Sequence, residues 1–257
     1  MAEMRYSLVA YLEILTPAEE PDEATWAMIS ERIHRWPADL DGWAALNERR
    51  AFQLDNVLVL VQPLDMQYSS RTPPWLPFHL LLRLAYLQES SWADGVFFRG
   101  AVAHGEALIG ADAIVGPAVR MAQQQARQER VPRIMVDPRL LQAITHDPRL
   151  RTHGPRQELA YLKRLLAQDT DGLWFVDYLT IKGYQLEDSK LYADWLEDHC
   201  LLLEEVLERV GAQSEDVRPW LWLATYHDRV VAGLEDIDEA TRDSLRIVSD
   251  TPLRFQF

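Results

Sequence analysis

Two apolar runs constrain the fold of this chain more than any other feature. Tyr6–Leu15 reads YSLVAYLEIL and Phe52–Val61 reads FQLDNVLVLV. Both are rich in β-forming residues and predict buried strands, the second ended by Pro63. Each also carries one carboxylate in its interior, Glu13 and Asp55. An ionised carboxylate buried in a sheet is costly unless a cation answers it. Two readings stay open. Each group pairs with an Arg or points to solvent from a strand end, or the two meet on a hard divalent ion, which takes carboxylate oxygens.

The remaining pattern alternates. Further strands are predicted at Val96–Leu108 (VFFRGAVAHGEAL), Arg133–Val136 and Leu173–Leu179. Helical spacing marks Ala24–Arg35, Phe78–Gln88, Ala118–Gln128 and a turn or two at Pro138–Ile144. Leu186–Val210 and Trp220–Val231 read as two more helices, the first with an apolar stripe at Leu191, Trp195, Leu201, Leu202 and Val206. Strands and helices alternating to about residue 180, followed by a helical tail, predict an α+β sandwich over 1–180 and a helical extension over 181–257 packed on it. No P-loop, G-x-G-x-x-G, G-x-S-x-G or H-E-x-x-H is found.

Charge narrows the partners. The 257 residues hold 26 Lys+Arg against 40 Asp+Glu, a net of −14. Such a chain is poorly suited to non-specific nucleic-acid binding, which needs excess cation. No run of 18 uncharged apolar residues and no secretory leader is visible, so no membrane partner is expected and a cytoplasmic location is. The single Cys200 excludes an internal disulfide. Yet Arg120–Arg164 holds ten Arg/Lys against four Asp/Glu, and Gln185–Phe257 seven against seventeen. A basic middle in an acidic chain is either a solvated face or an anion-binding surface. Arg99, among apolar residues beside Gly100, and Arg133, between Pro132 and Ile134, have the same two readings: an internal ion pair, with Glu13, Asp55 and Asp137 as candidate partners, or a ligand anion. His104 reads as a packed strand residue, and Cys200 as an ordinary helix residue.

Six segments in order resemble a known family. They are Tyr11-Leu12-Glu13-Ile14-Leu15, Leu54-Asp55-Asn56-Val57, Phe98-Arg99-Gly100-Ala101-Val102-Ala103-His104-Gly105-Glu106, Val115-Gly116-Pro117-Ala118-Val119, Val131-Pro132-Arg133-Ile134-Met135-Val136-Asp137 and Asp171-Gly172-Leu173-Trp174-Phe175-Val176-Asp177-Tyr178-Leu179. They look like motifs of class III nucleotidyl cyclase domains, and more closely like the pyrimidine cyclases of bacterial Pycsar anti-phage defence. Trp220–His227 is similar to that family's closing helix.

The resemblance implies a ferredoxin-like cyclase sandwich and a reaction. Two divalent ions, Mn²⁺ or Mg²⁺, would be held by Glu13, the Ile14 backbone and Asp55. The ribose 3′-hydroxyl would attack the α-phosphorus, and pyrophosphate would leave. Arg99 would be catalytic and bind substrate, with Arg133, Arg120, Arg50 and Phe52 as further substrate-binding residues. It also implies a homodimer with shared sites, and a product, cyclic UMP, that activates a separate effector. Glu13 and the pair Thr16-Pro17 depart from the family pattern. The first carboxylate is Glu rather than Asp, and a Gly-Phe pair is replaced by Thr16-Pro17, where Pro17 has no N–H to offer. The positions that read purines are Ala51 and Ala113, which favours UTP or CTP. Two alternatives stay open: a cytidylate cyclase, and a catalytically degenerate nucleotide-binding or dimerising module on the same fold.

Overall fold

The structure, a computed structural model, describes residues 2–17, 23–34, 50–54, 56–64, 76–110, 113–186, 188–211 and 215–247. The chain divides into two compact units, Met1–Tyr178 and Leu179–Phe257.

The first unit is α+β. Its elements run β1 (Glu3–Leu15), α1 (Glu23–His34), β2 (Arg50–Leu54), β3 (Val57–Pro63), α2 (Leu76–Ser91), β4 (Phe97–Ile109), β5 (Ile114–Val115), α3 (Pro117–Gln128), β6 (Ile134–Val136), α4 (Pro138–His146), α5 (Pro155–Leu162), β7 (Leu166–Gln168) and β8 (Trp174–Val176). The strands form one sheet in the order β2-β3-β1-β4-β6-β8-β7, with β5 on β4. Only β6 on β4 is a parallel pair among the described residues.

β1 sits at the centre because it can be buried on both faces. Leu8, Val9, Ala10 and Leu12 expose nothing. It pairs with β4 over thirteen positions, Glu3↔Ile109 to Leu15↔Phe97. Odd-numbered residues of β1, β3 and β4 share one face. There Val9, Tyr11, Val59, Val61, Ala103 and Ala107 pack against Ala118, Ala122 and Ala126 of α3. Small residues at every fourth position let the helix lie close on the sheet. Gly116 starts that helix at φ +142°, where a Cβ would stand 2.8 Å from the Glu106 carbonyl oxygen. The opposite face buries Leu8, Leu12, Phe98 and Val102, and α2 packs on β4 and β8.

The predicted strand Phe52–Val61 is two strands. β2 ends at Leu54 and β3 begins at Val57, in an antiparallel pair. Asn56 lies in an exposed turn. Asp-Asn is a turn-forming pair, and this outweighed the apolar run on either side. Leu173–Leu179 is also corrected: only Trp174–Val176 is strand, and a helix has begun by Tyr178. The spacing analysis did not find α5 or β7.

The second unit is helical: α6 (Tyr178–Leu186, begun in the last residue of the first unit), α7 (Ser189–Val210), α8 (Arg218–Ala232) and α9 (Glu239–Ser244). The helix expected over Leu186–Val210 is α7, begun three residues later, and α6 before it was not expected. Asp188 caps α7, its Oδ1 accepting from the N–H groups of Lys190 and Leu191. The expected stripe is corrected as well. Leu191 and Leu201 are exposed, and the buried line is Tyr192, Leu196, His199, Leu203 and Val206. The line was missed because its centre is a histidine. His199 and His227 of α8 are both fully buried, their rings stacked 5.1 Å apart with Nδ1 atoms 3.0 Å apart. His227 Nε2 lies 3.0 Å from the Leu245 carbonyl oxygen and must carry the hydrogen, so His199 Nδ1 donates to His227 Nδ1. Burial, then the neighbouring His227, holds His199 well below the usual imidazole range. Cys200 is buried beside it, and burial pushes its thiol up to about 11. No helix among the described residues is long and apolar enough to cross a membrane.

Candidate functional site

Glu13 and Arg99 stand directly opposite each other in the β1–β4 ladder. Both are odd-numbered, so both side chains lie on the α3 face, one strand position beyond the packed core. Arg99 Nε donates to Glu13 Oε2 at 2.8 Å, and Nη2 lies 2.6 Å from the same oxygen. The Glu13 side chain is 9% exposed and that of Arg99 31%. Of the readings left open for the buried carboxylate, the structure shows the ion pair. Gly100 keeps the two strands close at this point: a Cβ there would stand 2.3 Å from the Tyr11 carbonyl oxygen.

The β2–β3 turn reaches the same end of the sheet. The Asn56 carbonyl accepts from the Ile14 N–H at 2.9 Å. Asp55 itself lies outside the described residues. Two residues back on β1, Tyr11 accepts at its hydroxyl from Gln123 Nε2 of α3, 3.2 Å away. At the far end of the helix Ala118 lies over Gly105, so α3 runs toward Arg99. Arg127 is exposed and lies one helical turn beyond Gln123 on α3. Arg120, also exposed, lies toward the other end.

Arg133 has a different place. Its Nε donates to Glu129 Oε2 at 2.7 Å, Nη1 to Asp169 and Nη2 to Asp171. Burial works against its charge, and the Asp171 and Glu129 contacts outweigh it, so its pKa is raised. Burial likewise opposes ionisation of Asp171, and the Arg133 hydrogen bond holds its pKa below the usual range. Of the two readings of Arg133, the structure shows the internal ion pair, with Glu129, Asp169 and Asp171 as its partners. The network ties the end of α3 to the β7–β8 turn, and the Arg133 carbonyl accepts from the Gly100 N–H beside Arg99. Asp137 instead caps α4.

Arg50 and Phe52 enter β2 opposite Val61 and Val59, and their side chains lie outside the described part of the structure. His104 packs edge-on against Tyr6, ring centroids 6.0 Å apart, and burial lowers its pKa. It is a packed strand residue, as expected.

The described residues alone do not make up a two-ion site. No group of three or more His, Cys, Asp or Glu that could hold a metal occurs among the described residues. Glu13 Oε2 already takes two contacts from Arg99. An ion at a bonding distance of about 2.0–2.6 Å from that oxygen would crowd the guanidinium. Glu13 is not free to serve as a ligand while Arg99 holds it.

No known family model matches the chain, and no curated protein does. Among solved structures it is similar to the adenylyl cyclase CyaB from P. aeruginosa, at 12% identity over 68% of this chain and 95% of that one, TM-score 0.37. It is also similar to the monomeric guanylyl cyclase domain of the RhoGC fusion protein from the aquatic fungus Blastocladiella emersonii, at 11% identity over 68% of this chain and 97% of that one, TM-score 0.40. Neither likeness is close enough to place a residue.

Proposed function

We propose that this chain is a nucleotidyl cyclase acting on a pyrimidine nucleoside triphosphate, with UTP preferred and 3′,5′-cyclic UMP and pyrophosphate as products. One observation carries the reading. Three motifs far apart in sequence, around Glu13, Asn56 and Arg99, meet at one end of the central strands through the Ile14–Asn56 hydrogen bond and the Glu13–Arg99 pair. Arg99 turns a partly exposed edge outward, where it can take a phosphate oxygen and stabilise charge on the departing pyrophosphate. Ala51 and Ala113 offer no side-chain polar group to a base, which supports a pyrimidine over a purine. The homodimer, the separate effector and the role in anti-phage defence belong to the same proposal and rest on the motif resemblance. Because Glu13 and Arg99 pair within one chain, a shared site would bring its other residues from the partner protomer.

The test is to incubate the full chain with each of the four nucleoside triphosphates and Mn²⁺ or Mg²⁺, and to identify products by mass spectrometry. Cyclic UMP is expected, with less cyclic CMP; cyclic AMP or GMP instead would overturn the pyrimidine assignment. The closure of Glu13 by Arg99 favours one second reading, a nucleotide-binding module without turnover. Triphosphate binding with no cyclic product under any condition would select it.

A further inference from the structure

The basic segment Arg120–Arg164 ends in a surface that the nucleotidyl reading does not use. From Pro148 to Gln168, through α5 to β7, the chain carries five Arg/Lys against one acid, Glu158. Glu158 is buried and engaged inside: its Oε2 accepts from the N–H groups of Thr152 and His153 and lies 3.1 Å from His153 Nδ1. Arg156, Lys163 and Arg164 are exposed, and among the described residues none of the three forms an ion pair. Two half-buried aromatic rings lie among them. Arg164 stands over the Tyr161 ring, 5.7 Å from its centroid, and Lys163 over the Trp174 ring at 5.2 Å. Lys163 and Arg164 are neighbours in the chain, so the two cation–ring pairs adjoin. The net charge of −14 conceals this surface, because it averages the whole chain. Salt screens exposed charges beyond roughly 8 Å, so the local cations decide what this surface attracts.

We propose that this surface of α5 and β8 binds a single strand of nucleic acid, with phosphates on Arg156, Lys163 and Arg164 and bases on Tyr161 and Trp174. The rings decide between polyanions. An acidic polypeptide would meet the cations and leave both rings without a role. A duplex keeps its bases stacked on one another and offers only its phosphates. A single strand offers phosphates and unstacked bases together, which is the combination that interleaved cations and aromatic rings recognise. The cations over the rings do not block this. A base stacked on a ring is held more firmly than an exposed cation over it, so the strand takes the ring face and the freed cation meets the adjoining phosphate. Nothing in this depends on the nucleotidyl reading of the Glu13–Arg99 end.

The experiment follows the fluorescence anisotropy of a labelled oligo-deoxyadenylate of about 16 nucleotides, the upper span of single-strand sites, titrated with the full chain. A purine strand is used so that a pyrimidine nucleotide site does not contribute. Three phosphate contacts at about 0.7 each give a salt slope near −2, so raising salt from about 50 to about 200 mM should weaken binding roughly 16-fold. The triple variant Arg156→Ala/Lys163→Ala/Arg164→Ala should bind at least about tenfold more weakly at the lower salt and lose most of the slope. Tyr161→Leu and Trp174→Leu should each weaken binding roughly fivefold or more and leave the slope in place. Melting curves are recorded for each variant; the triple variant changes only exposed side chains, so its result stands if a ring variant does not fold. A wild type that does not bind at the lower salt, or a triple variant that binds as well as wild type, overturns the proposal. A duplex of the same sequence bound as tightly as the single strand also overturns it. So does a poly-glutamate peptide bound as tightly as the strand, by the cations alone, which would assign the surface to an acidic polypeptide.

Discussion

Replacing Arg133 with Met separates a structural guanidinium from one kept for a ligand. Arg133 is buried, and its three polar groups go to Glu129, Asp169 and Asp171. Removing one partner of a buried ion pair costs about 3–5 kcal/mol, because the other charge stays behind unanswered. The lower end applies here. Asp171 is 44% exposed and regains water. Glu129 keeps the backbone N–H groups of Arg130 and Val131. Asp169, mostly buried, bears the main loss. A loss of about 3 kcal/mol lowers the melting temperature by roughly 6–12 °C for a unit of this size. Calorimetric or circular-dichroism melting at neutral pH measures it. Adding Glu129→Gln and Asp169→Asn to Arg133→Met removes the stranded charges and should recover at least half the loss. A single variant that melts within about 2 °C of wild type, or a triple variant no better than the single, would refute the structural role and return Arg133 to the ligand.

Gly100→Ala should destabilise the first unit and part Arg99 from Glu13, since the added Cβ meets the backbone oxygen of Tyr11 at 2.3 Å and β1 must move; a wild-type melting curve would show that the strands can give. Stability should also depend on pH through His199 and His227. Burial lowers the pKa of both in the folded state, whereas the unfolded chain protonates them below about pH 6.5. Their contribution is therefore complete above about pH 6.5 and falls as pH drops through that value, by up to about 1.4 kcal/mol per pH unit for each histidine. Urea midpoints at pH 8, 6.5 and 5.5 check this, with His199→Leu expected to flatten the decline; a wild-type midpoint unchanged across the series would contradict the assignment.

The sheet was legible where local pattern and burial agree. β1, β4 and α3 follow from apolar runs and from Ala spacing that nothing else contradicts. The hairpin was misread because the runs on both sides of Asp55-Asn56 are equally apolar, and a two-residue turn inside fourteen apolar-rich positions leaves little periodic trace. The helical unit shows the converse. Its buried line is centred on a histidine, so a search for apolar residues settled on the wrong face of α7. At the site, sequence reasoning found Glu13 and Arg99 and allowed for their pairing. It could not see that Arg133 is answered by Asp169 and Asp171, because that contact spans 36 and 38 residues and depends on how tightly β7 and β8 turn. Spacing along a chain reports one element at a time, whereas an ion pair between elements is fixed by the register of the sheet.

The central claim is that the Glu13–Arg99 end of the sheet turns over a pyrimidine nucleoside triphosphate. The measurement that tests it most directly is the rate of cyclic UMP formation from UTP by wild type and by Arg99→Ala, at equal folded concentration. The account predicts product from wild type and a fall of at least about 100-fold in the variant, the scale of losing one charge-stabilising donor. Equal rates in the two proteins, or no cyclic product from wild type, would contradict it.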